Sequence, residues 1–143
     1  EDGQAGEYGE ALCMKRIIPH AQKAMYIETH AKGLDMDGPN GPEQAARVVD
    51  PADMRMPLDQ VIYGGEGDSD LQAFGFVEDH GGFAMAVRGG GSFDPGGRQL
   101  PGQRVENVAD PSYLEGGELM IMLEHAVRAC ASRIAMRAMG EGK

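Results

Sequence analysis

The residues of this chain best suited to hold a metal or exchange electrons are Cys13, Cys130, His20 and His125, drawn from two cysteines and four histidines in 143 positions. Cys13 and His20 are seven residues apart, which leaves them within about 20° of each other around a helix. The other half of such a site fails, because the step from His125 to Cys130 turns through about 140° at 3.6 residues per turn and helical ligand pairs stand three or four apart. The expectation is no metal and no cofactor, with both cysteines as buried free thiols behaving as small hydrophobes. A Cys13–Cys130 disulfide is the alternative, provided that the two helices carrying them pack side by side within about 7 Å.

The remaining chemistry-bearing groups fall on loops. Asp35, Asp37, Asn40 and Glu43 offer oxygens at close spacing, but Pro39 stands where a calcium loop needs a ligand. Glu66, Asp68 and Asp70 alternate without the glycine and distal glutamate of such a loop, so they read as solvated acids. Gly89-Gly90-Gly91-Ser92 lacks the Lys-Ser/Thr ending of a phosphate loop. No G-x-S-x-G elbow is present. Glu28, His30, Glu78, Asp79 and His80 could serve as acids or bases, and the last three are the first place to look for an enzyme.

The elements that would position these groups follow from apolar periodicity. Leu12, Cys13, Ile17, His20, Ala24 and Ile27 recur at three- and four-residue steps, a helical stripe that Pro19 kinks or breaks and that Gly33 ends. Residues 35–42 form a turn cluster, followed by a short helix from Glu43 to Val49 and a second start at Asp50-Pro51. Leu58–Tyr63 reads as helix or strand, and Gly64–Asp70 as loop. Phe74 and Phe76 alternate, as do Phe83, Met85 and Val87, with Asp79-His80-Gly81-Gly82 between them. That pattern predicts a β-hairpin over residues 72–88. Glycine-rich chain follows to Gly102, then a short strand within 105–108. The longest helix runs from Tyr113 or Glu118 to Met139, closed by Gly140. Its core stripe is Leu119, Leu123, Ala126, Val127, Cys130 and Ile134, with Arg128, Arg133 and Arg137 placed near the negative end of the helix dipole.

Composition limits what these elements can do. Large apolar side chains (Leu, Ile, Val, Phe) fill 18% of positions, 22 residues are Gly, and the formal charge is −10, which together lean toward a thin core. Ten methionines add usable core. An acidic chain with no basic run disfavours nucleic acid, and no stretch approaches the roughly 18 apolar residues of a membrane span. The chain begins at Glu1 with no Met and no apolar signal segment, so an N-terminal piece is expected to have been removed.

The expected architecture is α+β: an acidic arm at 1–6, then one thinly cored domain at 7–143. In it a kinked N-terminal helix and a long C-terminal helix pack together around a central β-hairpin and long Gly/Pro loops. Met120, Ile121, Met122, Met136 and Met139 lie outside the C-terminal stripe, so that helix is apolar over more than one face. The expected function is therefore a non-enzymatic structural or accessory subunit of a larger assembly, such as a virion or a multi-protein machine. Its contact surface would be centred on Met120, Met122 and Met136, with protein partners or self-association through that helix. A small enzyme with loop-borne residues near the hairpin turn is the alternative, and a monomeric small-ligand binder the third.

Overall fold

The computed structural model describes residues 18–66, 68–88 and 107–140. The element order is α1 (His20–Ala31), α2 (Gly41–Ala45), β1 (Ile62–Gly65), α3 (Leu71–Asp79), β2 (Phe83–Val87), β3 (Val108–Ala109) and α4 (Glu118–Gly140), with 3₁₀ turns at Pro51–Asp53, Leu58–Gln60 and Asp68–Asp70. The three strands form one sheet in the order β1-β2-β3. Both pairings are parallel, with Ile62 beside Phe83 and Ala86 beside Val108. The chain is thus α+β in its content of helix and strand, and β1-α3-β2 is a parallel crossover unit.

The hairpin expected over residues 72–88 does not form. Its second strand is β2, but Leu71–Asp79 is helix. Ala73, Phe74 and Val77 are its buried residues, at the helical spacing of one, three and four, and this face outweighs the two-residue alternation of Phe74 and Phe76. Asp79 and His80 close the helix and Gly81 takes φ +77°. The chain then enters β2 beside β1, and no antiparallel return is made.

Side-chain alternation in β2 divides the molecule into layers. Ala84 and Ala86 face α3, where Phe74 packs on them with Tyr63, Leu71 and Val108 around it. Met85 faces the other way, into a cluster with Ala109, Leu119 and Ala126, bordered by Phe83, Val87, Met122 and Leu123. Helix α1 docks on α3 and α2, and Tyr26, Met36 and Ala45 form a third cluster there. The two long helices therefore belong to different layers, and the side-by-side packing expected of them is replaced by α1 on α3 and α4 on the sheet.

Local sequence explains the ends of several elements. Pro19 stands immediately ahead of α1 in extended conformation, with φ −61° and ψ 154°, so it starts this helix and is not part of its interior. Gly33, at φ +74°, ends it, with Leu34 N–H reaching back to Thr29 O at 2.9 Å. Asp50 caps the turn that follows it by accepting from Ala52 N at 2.9 Å. Asp110-Pro111 starts no helix; the Asp110 carboxylate instead takes Arg88 Nη1 at 2.7 Å. The arm at 1–6, the stripe residues before Ile18 including Cys13, the Gly89–Ser92 run and the start of the 105–108 strand lie outside the described residues.

Candidate functional site

Helix α4 begins over the C-terminal ends of the strands and runs back across the sheet. Its inner face is Leu119, Met122, Leu123, Ala126 and Cys130, followed by Arg133 and Arg137. At 1.5 Å per residue a 23-residue helix is about 35 Å long, whereas a five-residue strand spans only about 17 Å. Beyond Cys130 the floor changes from apolar side chains to backbone carbonyls. Cys130 Sγ donates to Gln60 O at 3.7 Å. Arg133 Nη1 donates to Asp59 O and, at 2.6 Å, to Gly81 O, while its guanidinium lies 4.8 Å from the centre of the Phe83 ring. Arg137 forms a two-pronged ion pair with the Asp59 carboxylate.

This change of floor corrects the expected core stripe. Ile134 is 49% exposed, because the positions facing the floor beyond Cys130 are taken by arginines suited to carbonyl acceptors, and Val127, one turn before that change, is 56% exposed on the outer side. Of the three methionines placed on the expected contact surface, Met136 is exposed, Met120 is half-buried and Met122 turns inward against the Met85 cluster. Met122 is partly buried against that cluster and lines a second cleft, of about 380 Å³. The outer side carries Val127 and Ile134 in its place, at seven-residue spacing from Met120, with Ala131 between them and Ala138 one turn beyond.

Beside α4, over β1, lies a cleft of about 510 Å³. Ile62, Met85 and Val87 form its floor, Leu119 and Leu123 its α4 wall, and Glu66, Pro111 and Tyr113 its mouth. Gly64 lies in this floor because it pairs with Met85 on the α4 face of the sheet. A Cβ built on Gly64 would meet nothing within 4 Å. At the same edge Arg88 bridges Asp110 at 2.7 Å and Glu118 at 3.4 Å, and the Asp110 hydrogen bond is the main reason its guanidinium is held still more firmly in the charged form.

On the opposite face, Gly65 makes room for Asp70. A Cβ there would sit 2.6 Å from Asp70 Cγ. Asp70 was expected to be a solvated loop acid, but it is buried and accepts from Lys23 Nζ at 2.7 Å and Tyr63 Oη at 2.6 Å. Lys23 also reaches Ser69 Oγ at 3.0 Å. Burial first, and then the hydrogen bond and charge of Asp70, push the Tyr63 hydroxyl well above the ordinary tyrosine value. A phenol so held keeps its proton and is a poor general base. The cluster therefore reads as a tie between α1 and the β1–α3 turn.

His80 Nδ1 donates to Phe76 O at 2.7 Å and its ring stacks on Phe76 at 4.3 Å, so this histidine finishes its own helix. Cys130 is a free, buried thiol. His20 and His125 are both exposed, on α1 and α4, and among the described residues no group of three His, Cys, Asp or Glu is placed to hold a metal. Asp35 accepts from Asp37 N–H at 2.9 Å and Asp37 from Tyr26 Oη at 2.9 Å, which uses both acids locally. No described helix is long and apolar enough to cross a membrane. Comparison of the chain with protein-family models, with curated proteins and with solved structures finds no match.

Proposed function

We propose that this protein is a non-enzymatic accessory subunit of a larger assembly, and that its first partner is a second copy joined through the outer face of α4. The observation that carries this reading is the seven-residue recurrence of Met120, Val127 and Ile134 on one side of the helix. Val127 and Ile134 are about half exposed, and Ala131 between them and Ala138 beyond are small enough for close helix approach. Apolar residues at this period suit a helix partner better than water.

A second copy fits because the strip complements itself. Turned end for end about Val127, it sets Met120 of one copy against Ile134 of the other, and it brings Glu124 beside Arg128, which is the isologous pattern a two-fold interface requires. Charge favours the same element. The chain carries −10 overall, yet α4 holds only Glu118 and Glu124 against Arg128, Arg133 and Arg137, so like-charge repulsion is weakest there.

The test is the mass of the native protein in solution by light scattering across a dilution series. A dimer that Val127→Glu or Ile134→Glu converts to a folded monomer supports the reading. A monomer at millimolar concentration, or a dimer unmoved by both substitutions, ends it. Met122→Glu is the internal contrast: it is expected to cost stability, since that side chain packs against the Met85 cluster.

A further inference from the structure

The cleft between β1 and α4 has no part in the pairing just proposed, and we infer that it is a binding site for a small cationic amphiphile, a molecule with an apolar body and an ammonium or guanidinium head. The position is the first argument. The cleft opens at the C-terminal ends of parallel strands, where open α/β sheets present loop backbone and side chains to ligands. Its volume, about 510 Å³, falls in the range of small-molecule sites, and like them it combines an apolar interior with a few polar groups at the mouth.

Gly64 is the second argument. The register puts it on the cleft floor beside Met85, in ordinary strand conformation with open space where a side chain would stand. Strand interiors favour β-branched residues, and a glycine there often marks the close approach of another group. No backbone requirement explains Gly64, whereas Gly65 next to it is fixed by Asp70.

Charge gives the head group. Glu66 lies at the mouth, exposed and without an ion-pair partner among the described residues. Tyr113 lines the same cleft with most of its surface open. A carboxylate and an aromatic face together are a standard cation receptor. The cation at this edge, Arg88, meets Asp110 and Glu118 through Nη1, so two carboxylates outnumber it there. The bound molecule would thread its apolar part along Ile62, Met85 and Leu123 and leave its charge between Glu66 and Tyr113.

The experiment uses three probes of matched shape, 4-phenylbutylamine, 4-phenylbutan-1-ol and 4-phenylbutanoate, titrated into isotopically labelled full-length protein at neutral pH and followed through backbone amide resonances. Saturable shifts are expected at Gly64, Gly65, Leu119 and Leu123. The amine should bind about fivefold or more tightly than the carboxylate, the scale of one exposed ion pair. Glu66→Gln should bring the amine down to the affinity of the alcohol. Gly64→Val, which puts a branched side chain where a Cβ meets nothing within 4 Å, should abolish binding of all three while thermal melting shows the fold retained. Equal binding of amine and carboxylate, shifts that map away from the cleft, unchanged binding to Gly64→Val, or no saturable shift at millimolar probe would each overturn the inference.

Discussion

On one side of β2, Phe74, Ala84 and Ala86 meet at 1% exposure or less; on the other, Phe83, Met85 and Val87 stand beneath a helix flanked by clefts of about 510 and 380 Å³. The same five-residue strand serves both. Alanines let α3 approach closely, and the Lys23–Asp70–Tyr63 tie holds α1 over the junction. Long side chains on the α4 face lift that helix and leave space at its flanks. Side-chain size along one strand, alternating small and large, thus separates a filled layer from an open one.

Substitutions on the two faces should therefore differ in sign as well as size. The largest loss is expected for Phe74→Ala, about 3 to 5 kcal/mol of unfolding free energy, read from denaturant curves. A loss below about 1 kcal/mol, the scale of a surface change, would show that the α3 layer is not the anchor of the fold. Gly65→Ala comes next, at about 1 to 3 kcal/mol, because its methyl must displace the buried Asp70 carboxylate. The adjacent Gly64→Ala should be neutral or stabilising by up to about 1 kcal/mol. If these neighbours gave equal effects, the contrast between the faces would fail at its sharpest point.

A smaller effect separates the layers by pH. The Tyr63 hydroxyl is raised by burial and by Asp70, so its neutral form is favoured in the folded state. That contribution is complete below the ordinary tyrosine value of 10.0 and is lost as pH rises beyond it. Native protein should lose more stability above pH 10 than Tyr63→Phe, which costs about 1 kcal/mol at neutral pH through one lost hydrogen bond. Parallel melting of the two proteins from pH 8 to 11 reads the difference.

Much of this arrangement is legible in residue order, and the misreadings have definite causes. Gly33 and Asp50 follow from rules that depend on neighbours only, and the long C-terminal helix from its apolar periodicity. The α+β character follows from periodicity. The Leu71–Asp79 helix is hidden because Gly75, two phenylalanines and a valine are weak helix formers, and Phe74 and Phe76 imitate a strand until Ala84 and Ala86 supply the surface that Phe74 and Val77 bury against. Parallel strands of two to five residues give little alternation to read. The burial of Asp70 depends on Lys23, 47 positions away, which local sequence does not reveal. Ile134 is misplaced in the expected stripe because periodicity locates an apolar face but not where the floor beneath it ends.

The arginine grip on Asp59 and Gly81 makes α4 a helix whose halves answer to different events. Amides from Met122 to Cys130 lie over the apolar floor, so their exchange with solvent deuterium should require opening of the whole domain. Those beyond Arg133 are held by charge-assisted bonds to a turn and a single carboxylate, and they should exchange through a local peeling that accelerates with added salt. Ionic strength then sets how much of the chain's end is helix at any moment, while the midpoint of global unfolding stays nearly fixed.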